Sequence, residues 1–402
     1  MKSLKKLILQ NVKRSRLAPF YKKKLCQYRC DSMADFHALP FSSKEDLREA
    51  YPYGGLAIPI NQILEAHTSS ASTGSPVISF FSKKDLEESS KAIAEAWRAF
   101  GVTKDTKLMF AMSYGLFSGA PLNTYALQYI GAFVLPVGIV SMSKYYDFID
   151  QFGIDFVVAT PGFFYYLNEY CNEKGVNPKE TSLRQAVVAG EPYSDKTKIE
   201  ISEMFNIEVF DHYGLAEVNT GILYECKQSG MMHPLESYIY LEVVNEKGEQ
   251  VESGEVGELV FTSLKKQASP VIRYKTGDLV KYFGEISCSC GKKGRACGRI
   301  LSRNDSVVSI KGVKINPYEL RDQVMQKLST SLNPESCFTL VLRKNRINYT
   351  PQIFMANLSE QECVLIKGFL KELTGIVFEV EVKPINYWFD GKIKSKIVEY
   401  AI

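Results

Sequence analysis

Residues 68–76 read Thr-Ser-Ser-Ala-Ser-Thr-Gly-Ser-Pro, a run of hydroxyl side chains with one glycine, and that chemistry suits a polyphosphate. Hydroxyls and exposed backbone N–H groups wrap phosphate oxygens, and Gly74 lacks the Cβ that would hold the backbone away from them. The segment is not a Walker loop, because the G-x-x-x-x-G-K-[ST] spacing is absent, and P-loop phosphoryl transfer is disfavoured. Such stretches also serve as plain solvated loops, so the reading depends on partners elsewhere in the chain.

Soft ligands form a second constellation. Cys288-Ser289-Cys290-Gly291 is a C-x-C turn, Cys297 follows it, and Cys226 with His233 lies upstream. Three thiolates and one imidazole would close a tetrahedral Zn²⁺ site with no open position, which is a structural clip rather than a catalytic metal. The expected ligands are Cys226, His233, Cys288 and Cys290, with Cys297 as the substitute. Lys292, Lys293 and Arg295 would offset the thiolate charge, while Cys26, Cys30, Cys171, Cys337 and Cys363 read as packing or surface thiols.

These groups must be positioned by a substantial core. With 402 residues, 45% of them hydrophobic, the chain can divide into two or more units. Its 49 basic and 45 acidic residues are too balanced for nucleic acid or an anionic membrane to be the main partner. The N-terminus is basic, but its apolar stretch covers only residues 7–9 and no small-residue cleavage site follows, so no signal peptide is expected. No run of about 18 apolar residues occurs. Nine scattered cysteines suit a reducing compartment, and a cytoplasmic protein is expected.

Helical and strand signals alternate along the first half. Residues 85–100 place Leu86, Ile93, Ala96, Trp97 and Phe100 on one helix face, and Gly101 supplies a stop. Short apolar runs at 107–112, 132–137, 156–159, 185–189 and 208–210 read as strands, with helices at 162–173 and 196–205 between them. From residue 238 hairpin chemistry takes over: strands at 239–244 and 256–262 flank a turn at 245–248. The last hundred residues, from about Arg303, mix strands and helices, with 338–343, 352–358, 360–374 and 377–382 the clearest pieces. The fold class expected is therefore α/β: a large N-terminal domain over 1–302, with parallel sheets and a β-rich subdomain from about 238, and a small mobile C-terminal α+β domain over 303–402.

Three further motifs give the hydroxyl-rich segment its meaning. Asp211-His212-Tyr213-Gly214-Leu215-Ala216-Glu217 follows an expected strand, Tyr274-Lys275-Thr276-Gly277-Asp278 ends another, and Gly391-Lys392-Ile393-Lys394 lies near residue 402. In this order the four pieces resemble the adenylate-forming superfamily of acyl-CoA ligases, adenylation domains and luciferases. Residues 18–25, 39–47, 113–117, Gly190-Glu191-Pro192 and 257–262 are similar to the phenylacetate-CoA ligase and coenzyme F390 synthetase branch, so the resemblance covers nearly the whole chain.

The resemblance implies that Ser69, Ser70, Ser72, Thr73 and Gly74 embrace the β- and γ-phosphates of ATP, that Glu217 helps to hold Mg²⁺, and that Tyr213 packs on adenine. Asp278 would accept both ribose hydroxyls, Lys392 would meet the α-phosphate and carboxylate oxygens, and Arg303 would contact ribose or phosphate. Gly190, Glu191, Asp211, His212 and Gly214 complete the implied nucleotide side; Tyr114, Gly115, Leu116, Phe117, Gly214 and Leu215 line the implied acid pocket. Taken singly, Glu217 reads as a solvated turn carboxylate, Asp278 as a turn cap and Lys392 as one lysine of a basic tail; one nucleotide accounts for all three. The family's Gly-Arg-x-Asp-Asp hinge appears here as Ser302-Arg303-Asn304-Asp305-Ser306, Ala71 replaces a usual glycine, and Ser75 stands where lysine is frequent.

A carboxylate is a poor acyl donor because its leaving group would be oxide. Attack of the carboxylate on the α-phosphorus of ATP gives a mixed anhydride and expels pyrophosphate, with negative charge gathering on phosphate oxygens. The expected activity is acid activation followed by thioester formation with coenzyme A, the acid being aromatic or otherwise apolar. One alternative is a stand-alone adenylating enzyme that loads a carrier protein's phosphopantetheine thiol; another is a non-catalytic zinc-containing nucleotide-binding protein. A homodimer is the candidate assembly.

Overall fold

The computed structural model describes residues 4–69, 76–190, 193–303, 308–310, 313–328, 337–344, 349–384, 387 and 398–401. Its contacts divide the chain into two units, Met1–Gly138 with Phe210–Leu301, and Ile139–Val209 with Ser302–Ile402.

In the first unit the expected helix is present as Lys83–Ala99. Ser82 caps it: the Asp85 carboxylate accepts the Ser82 N–H at 2.9 Å, and the Ser82 hydroxyl accepts the Asp85 N–H at 3.2 Å. Its apolar stripe buries Ile93, Ala96 and Trp97, and the Trp97 indole donates to Asn123 at 2.9 Å. That bond ties it to the helix Gly119–Ile130, which leads to the strand Phe133–Leu135, parallel to Lys107–Phe110.

The β-rich part is more extended than the sequence indicates. Seven strands run in the order Ile239–Val244, Val256–Ser263, Tyr274–Ser287, Lys293–Cys297, Met232–Pro234, Asn219–Glu225 and Glu208–Leu215. The expected hairpin pairs Ile239 with Ser263 through Val244 with Glu258. Two expectations are corrected. The strand expected at 208–210 continues to Leu215, because residues 212–215 pair antiparallel with Asn219–Glu225. The Tyr274–Asp278 motif opens a strand rather than ending one: Tyr274–Ser287 buries alternate residues from Tyr274 to Tyr282, and that periodicity carries it past Gly277.

A helical N-terminal segment packs against this sheet. The helix Leu4–Ser15 buries Ile8 and Val12 in a cluster with Tyr21, Phe36, Tyr240, Leu264 and Ile272, and Asn11 donates to the Ser263 hydroxyl at 3.0 Å.

The second unit has two parts. Phe156–Ala159 and Gln185–Val188 are a parallel pair, joined by the helix Pro161–Glu173 in a β-α-β crossover. From Ser302 onward, the hairpin Val308–Ile310 and Val313–Ile315 precedes the helix Pro317–Lys327. A four-stranded sheet follows in the order Glu379–Val382, Tyr349–Met355, Phe338–Lys344 and Val398–Ala401, and the helix Glu360–Thr374 buries Ile366 and Leu370 in a cluster with its Leu340, Leu342 and Ile353. The α/β class with an α+β C-terminal part is thus present. Among the described residues, no helix is long and apolar enough to cross a membrane.

Candidate active site

Asp278 owes its place to a break in strand pairing. Glu258 pairs with Leu279 and Val260 with Lys275, so Thr276, Gly277 and Asp278 together oppose Leu259 alone. Such a bulge re-aims a side chain. Gly277 takes a φ of 78°, its N–H donates to Glu258 at 2.9 Å, and the Thr276 hydroxyl accepts the Asp278 N–H at 3.0 Å. The carboxylate is only 2% exposed, and the Tyr213 hydroxyl donates to it at 2.5 Å. Two motifs far apart in sequence therefore meet at one acid group.

Tyr213 lies on Glu208–Leu215, where side chains alternate between two faces. Its neighbour His212 points the other way, buried against the rings of Trp97 and Phe100, with centroids at 5.5 and 6.1 Å. Desolvation lowers the His212 pKa to about 4, so the ring is neutral, and its Nε2 has no hydrogen-bond partner among the described residues. A Cβ at Gly221 would come within 2.1 Å of that nitrogen. The His212 side chain thus packs the core, and any contact it offers a nucleotide comes from its backbone. Asp211 is likewise engaged: its carboxylate pairs with Arg299 at 2.7 Å, and its N–H donates to Glu225 at 2.8 Å.

The hairpin turn after Leu215 presents Glu217. Gly214 is required there, since a Cβ would lie 2.6 Å from Thr220 Cα. Glu217 is 6% exposed and lines a small cavity with Val77, Ile78, Tyr51, Pro52 and Ser269. Val77 and Ile78 follow the hydroxyl-rich segment directly. Ser69, at the other end of that segment, donates its N–H to the Val77 carbonyl at 3.0 Å, and its hydroxyl accepts the Val77 N–H at 3.1 Å. Ser69 therefore closes the neck of the segment, while Ser70, Ser72, Thr73 and Gly74 lie outside the described residues.

On the implied acid side, the Tyr114 hydroxyl bonds Thr124 at 2.7 Å, and the Leu116 carbonyl accepts the Thr68 N–H at 2.8 Å. Leu116 is 66% exposed and Gly115 is exposed, whereas Phe117 and Leu215 are half-buried. In the second unit, Gly190 follows Gln185–Val188 with a φ of 97°, and half-buried Arg303 ends the short strand Ser302–Arg303. Glu191 and Lys392 lie outside the described residues.

The four soft ligands converge. The ligand atoms of Cys226, His233, Cys288 and Cys290 all lie within 4.8 Å of one another. Cys226 and Cys288 sulfurs are 3.7 Å apart, and Cys290 Sγ is 3.4 Å from His233 Nε2. A tetrahedral zinc site has S···S edges of about 3.8 Å and S···N edges of about 3.6 Å, so the donor set fits that ion. Two tight turns supply the three thiols, and His233 lies on the strand Met232–Pro234. One closes through Gly230 N–H to the Cys226 carbonyl at 2.8 Å, the other through Gly291 N–H to the Cys288 carbonyl at 2.9 Å. Cys297, the alternative ligand, stands apart: it is fully buried, and desolvation raises its thiol to about 12.

The AMP-binding enzyme family matches residues 66–264, which include Ser69, the 211–217 motif, Cys226 and His233. Phenylacetate-coenzyme A ligase of Pseudomonas putida is 31% identical over 297 residues, covering 73% of this chain and 67% of the relative. Phenylacetate-coenzyme A ligase of Thermus thermophilus is 32% identical over 310 residues, covering 75% and 69%. The chain belongs to the AMP-binding, adenylate-forming enzymes, alongside the phenylacetate-CoA ligases. A crystal structure of 2-hydroxyisobutyryl-CoA ligase in complex with 2-HIB-AMP shares the fold, with a TM-score of 0.85, 21% identity, and coverage of 99% of this chain and 89% of the other.

Several groups around the candidate site escape a reading of the sequence alone. Arg299 holds Asp211, Glu258 holds the Gly277 bulge, and Lys266 is buried beside the Glu217 turn. Arg299 and Lys266 lie outside every motif named above, and Glu258 falls in the 257–262 segment with no role attached to it. Strand register could have pointed to Glu258, and nothing in the local pattern singles out the other two.

Proposed function

We propose that this chain activates a carboxylic acid with ATP and transfers the acyl group to coenzyme A. In the first step a carboxylate oxygen bonds to the α-phosphorus as the bond to the bridging oxygen of pyrophosphate breaks, giving acyl-AMP and pyrophosphate. In the second, the thiol sulfur bonds to the acyl carbon, AMP departs with the anhydride oxygen, and the thiol proton is released. The observation that carries the reading is the Tyr213–Asp278 hydrogen bond at 2.5 Å, which brings the 211–217 and 274–278 motifs together at one buried carboxylate.

In this reading Asp278 accepts the ribose hydroxyls, with Tyr213 fixing the carboxylate and presenting its ring to adenine. Backbone groups from Asp211 to Gly214 border the base, together with Gly190 and Glu191. Glu217 would supply a carboxylate to a Mg²⁺ ion held mainly by phosphates, and its place in a small cavity beside Val77 supports that donor role. Ser69, Ser70, Ser72, Thr73 and Gly74 grip the outer phosphates in this reading. Lys392 and Arg303 from a mobile C-terminal domain, residues 303–402, complete the adenylation site. Tyr114, Gly115, Leu116, Phe117 and Leu215 form the acid pocket, which suits an aromatic or other apolar acid.

The Cys226, His233, Cys288 and Cys290 cluster would hold a structural Zn²⁺. All four positions are protein ligands, so the ion would offer substrate no open site and would cross-link the ends of Asn219–Glu225, which follows the Glu217 turn, and Tyr274–Ser287, which carries Asp278. The test of function is to incubate the protein with ATP, Mg²⁺ and aromatic, fatty or amino acids, adding coenzyme A or a holo carrier protein. Acid-dependent release of AMP with acylation of coenzyme A is the expected result. Acylation of the carrier alone would replace coenzyme A as acceptor, and no acid-dependent turnover would remove the reading.

A further inference from the structure

Lys266 sits in the connection between the strands Val256–Ser263 and Tyr274–Ser287, and its side chain is fully buried. Its ammonium donates to the Ser79 hydroxyl and to the Val218 carbonyl, the latter at 3.2 Å, and lies 4.2 Å from the centre of the Phe81 ring. Asp85 and Glu217 are the carboxylates whose charges act on it. Desolvation nevertheless lowers its pKa to about 8. A buried ammonium costs several kcal/mol before its partners offset that penalty, so an apolar side chain would serve a purely structural position better.

What Lys266 joins explains its presence. Ser79 belongs to the strand Ile78–Ser82, which leaves the hydroxyl-rich segment, and Val218 is the residue after Glu217. The residues beside Lys266 reinforce the link. Asp85 accepts the N–H groups of Gln267 and Ala268 at 2.5 and 3.1 Å, and the Ser269 hydroxyl accepts the Phe80 N–H at 2.9 Å. The 266–269 connection is thereby laced to the 79–85 segment, and Lys266 extends the lacing to the Glu217 turn.

We propose that Lys266 is a positioning residue for the adenylation half-reaction, setting Glu217 against the strand that leaves the phosphate-gripping segment. It acts through Ser79 and Val218 and touches no substrate. This proposal rests on the adenylation reading above and adds to it a consequence specific to one half-reaction. Acyl transfer to coenzyme A involves no pyrophosphate, so it does not depend on how Glu217 faces that segment.

The test compares the two half-reactions in Lys266→Met and Ser79→Ala. The acid that supports the fastest ATP–pyrophosphate exchange by the wild type is used, and its synthetic adenylate serves for acyl transfer. Lys266→Met should lower kcat for exchange on the order of 10- to 100-fold, with KM for the acid little changed. Transfer from the supplied adenylate to coenzyme A should stay within about twofold of wild type. Ser79→Ala removes an acceptor but keeps the charge, and should give the same split at smaller size; it carries the test if Lys266→Met does not fold. An equal fall in both half-reactions in the folded variants, or unchanged exchange, overturns the proposal. A wild type that shows no acid-dependent exchange removes the adenylation reading and this proposal with it.

Discussion

Tyr213 and Asp278 meet through a hydroxyl and a carboxylate at 2.5 Å, and a hydrogen bond to a charged, buried group contributes about 1.5–3 kcal/mol. Tyr213→Phe keeps the ring and loses the donor. The expected outcome is a rise of roughly tenfold in KM for ATP, with KM for the acid little changed, measured by initial-rate kinetics. His212 gives a prediction of a different kind. Its folded pKa of about 4 lies below the ordinary value of 6.5, so between these values the unfolded chain binds the extra proton. The stability it contributes is present above pH ~6.5 and is lost as pH falls towards 4, on the order of 3 kcal/mol in full. Urea unfolding followed across that range should show the wild type weakening with acid and His212→Phe weakening less.

At the level of elements, the turns that bring Cys226, Cys288 and Cys290 together with His233 make a testable unit. The purified chain should carry one zinc ion, and Cys290→Ser or a strong chelator should remove it, lower the melting temperature and weaken nucleotide binding, because the ion would tie the strand after the Glu217 turn to the strand that carries Asp278. Cys297→Ser should keep the metal, as elemental analysis would show, since Cys297 lies outside the cluster. These ligands were legible because thiol and imidazole chemistry is scarce in a sequence. The reach of the strands was not. Tyr213 and His212 alternate faces because Glu208–Leu215 runs through the motif, and that follows from pairing with Asn219–Glu225, which no residue within 208–215 specifies. The Thr276–Asp278 bulge is equally non-local: Gly277 reads as a stop until Glu258 and Leu259 are placed opposite it.

For the whole molecule, the alternation of short apolar runs and amphipathic helices was enough to indicate an α/β class, because burial on one or both faces imposes those periods. The grouping of Ile139–Val209 with Ser302–Ile402 was hidden, since it arises from contacts between segments far apart in sequence. Lys266 was hidden for the same reason: a lysine doublet reads as solvated surface until the fold closes over one of its members. The functional account spans the entire chain, from the hydroxyl-rich segment through Glu217 and Asp278 to Lys392. It is tested most directly by acid-dependent exchange of labelled pyrophosphate into ATP, measured for the wild type and for Lys392→Ala over aromatic, fatty and amino acids. The account predicts exchange that requires one class of acid, and a loss on the order of 100-fold in Lys392→Ala. Exchange independent of any acid, or undiminished without Lys392, would contradict it.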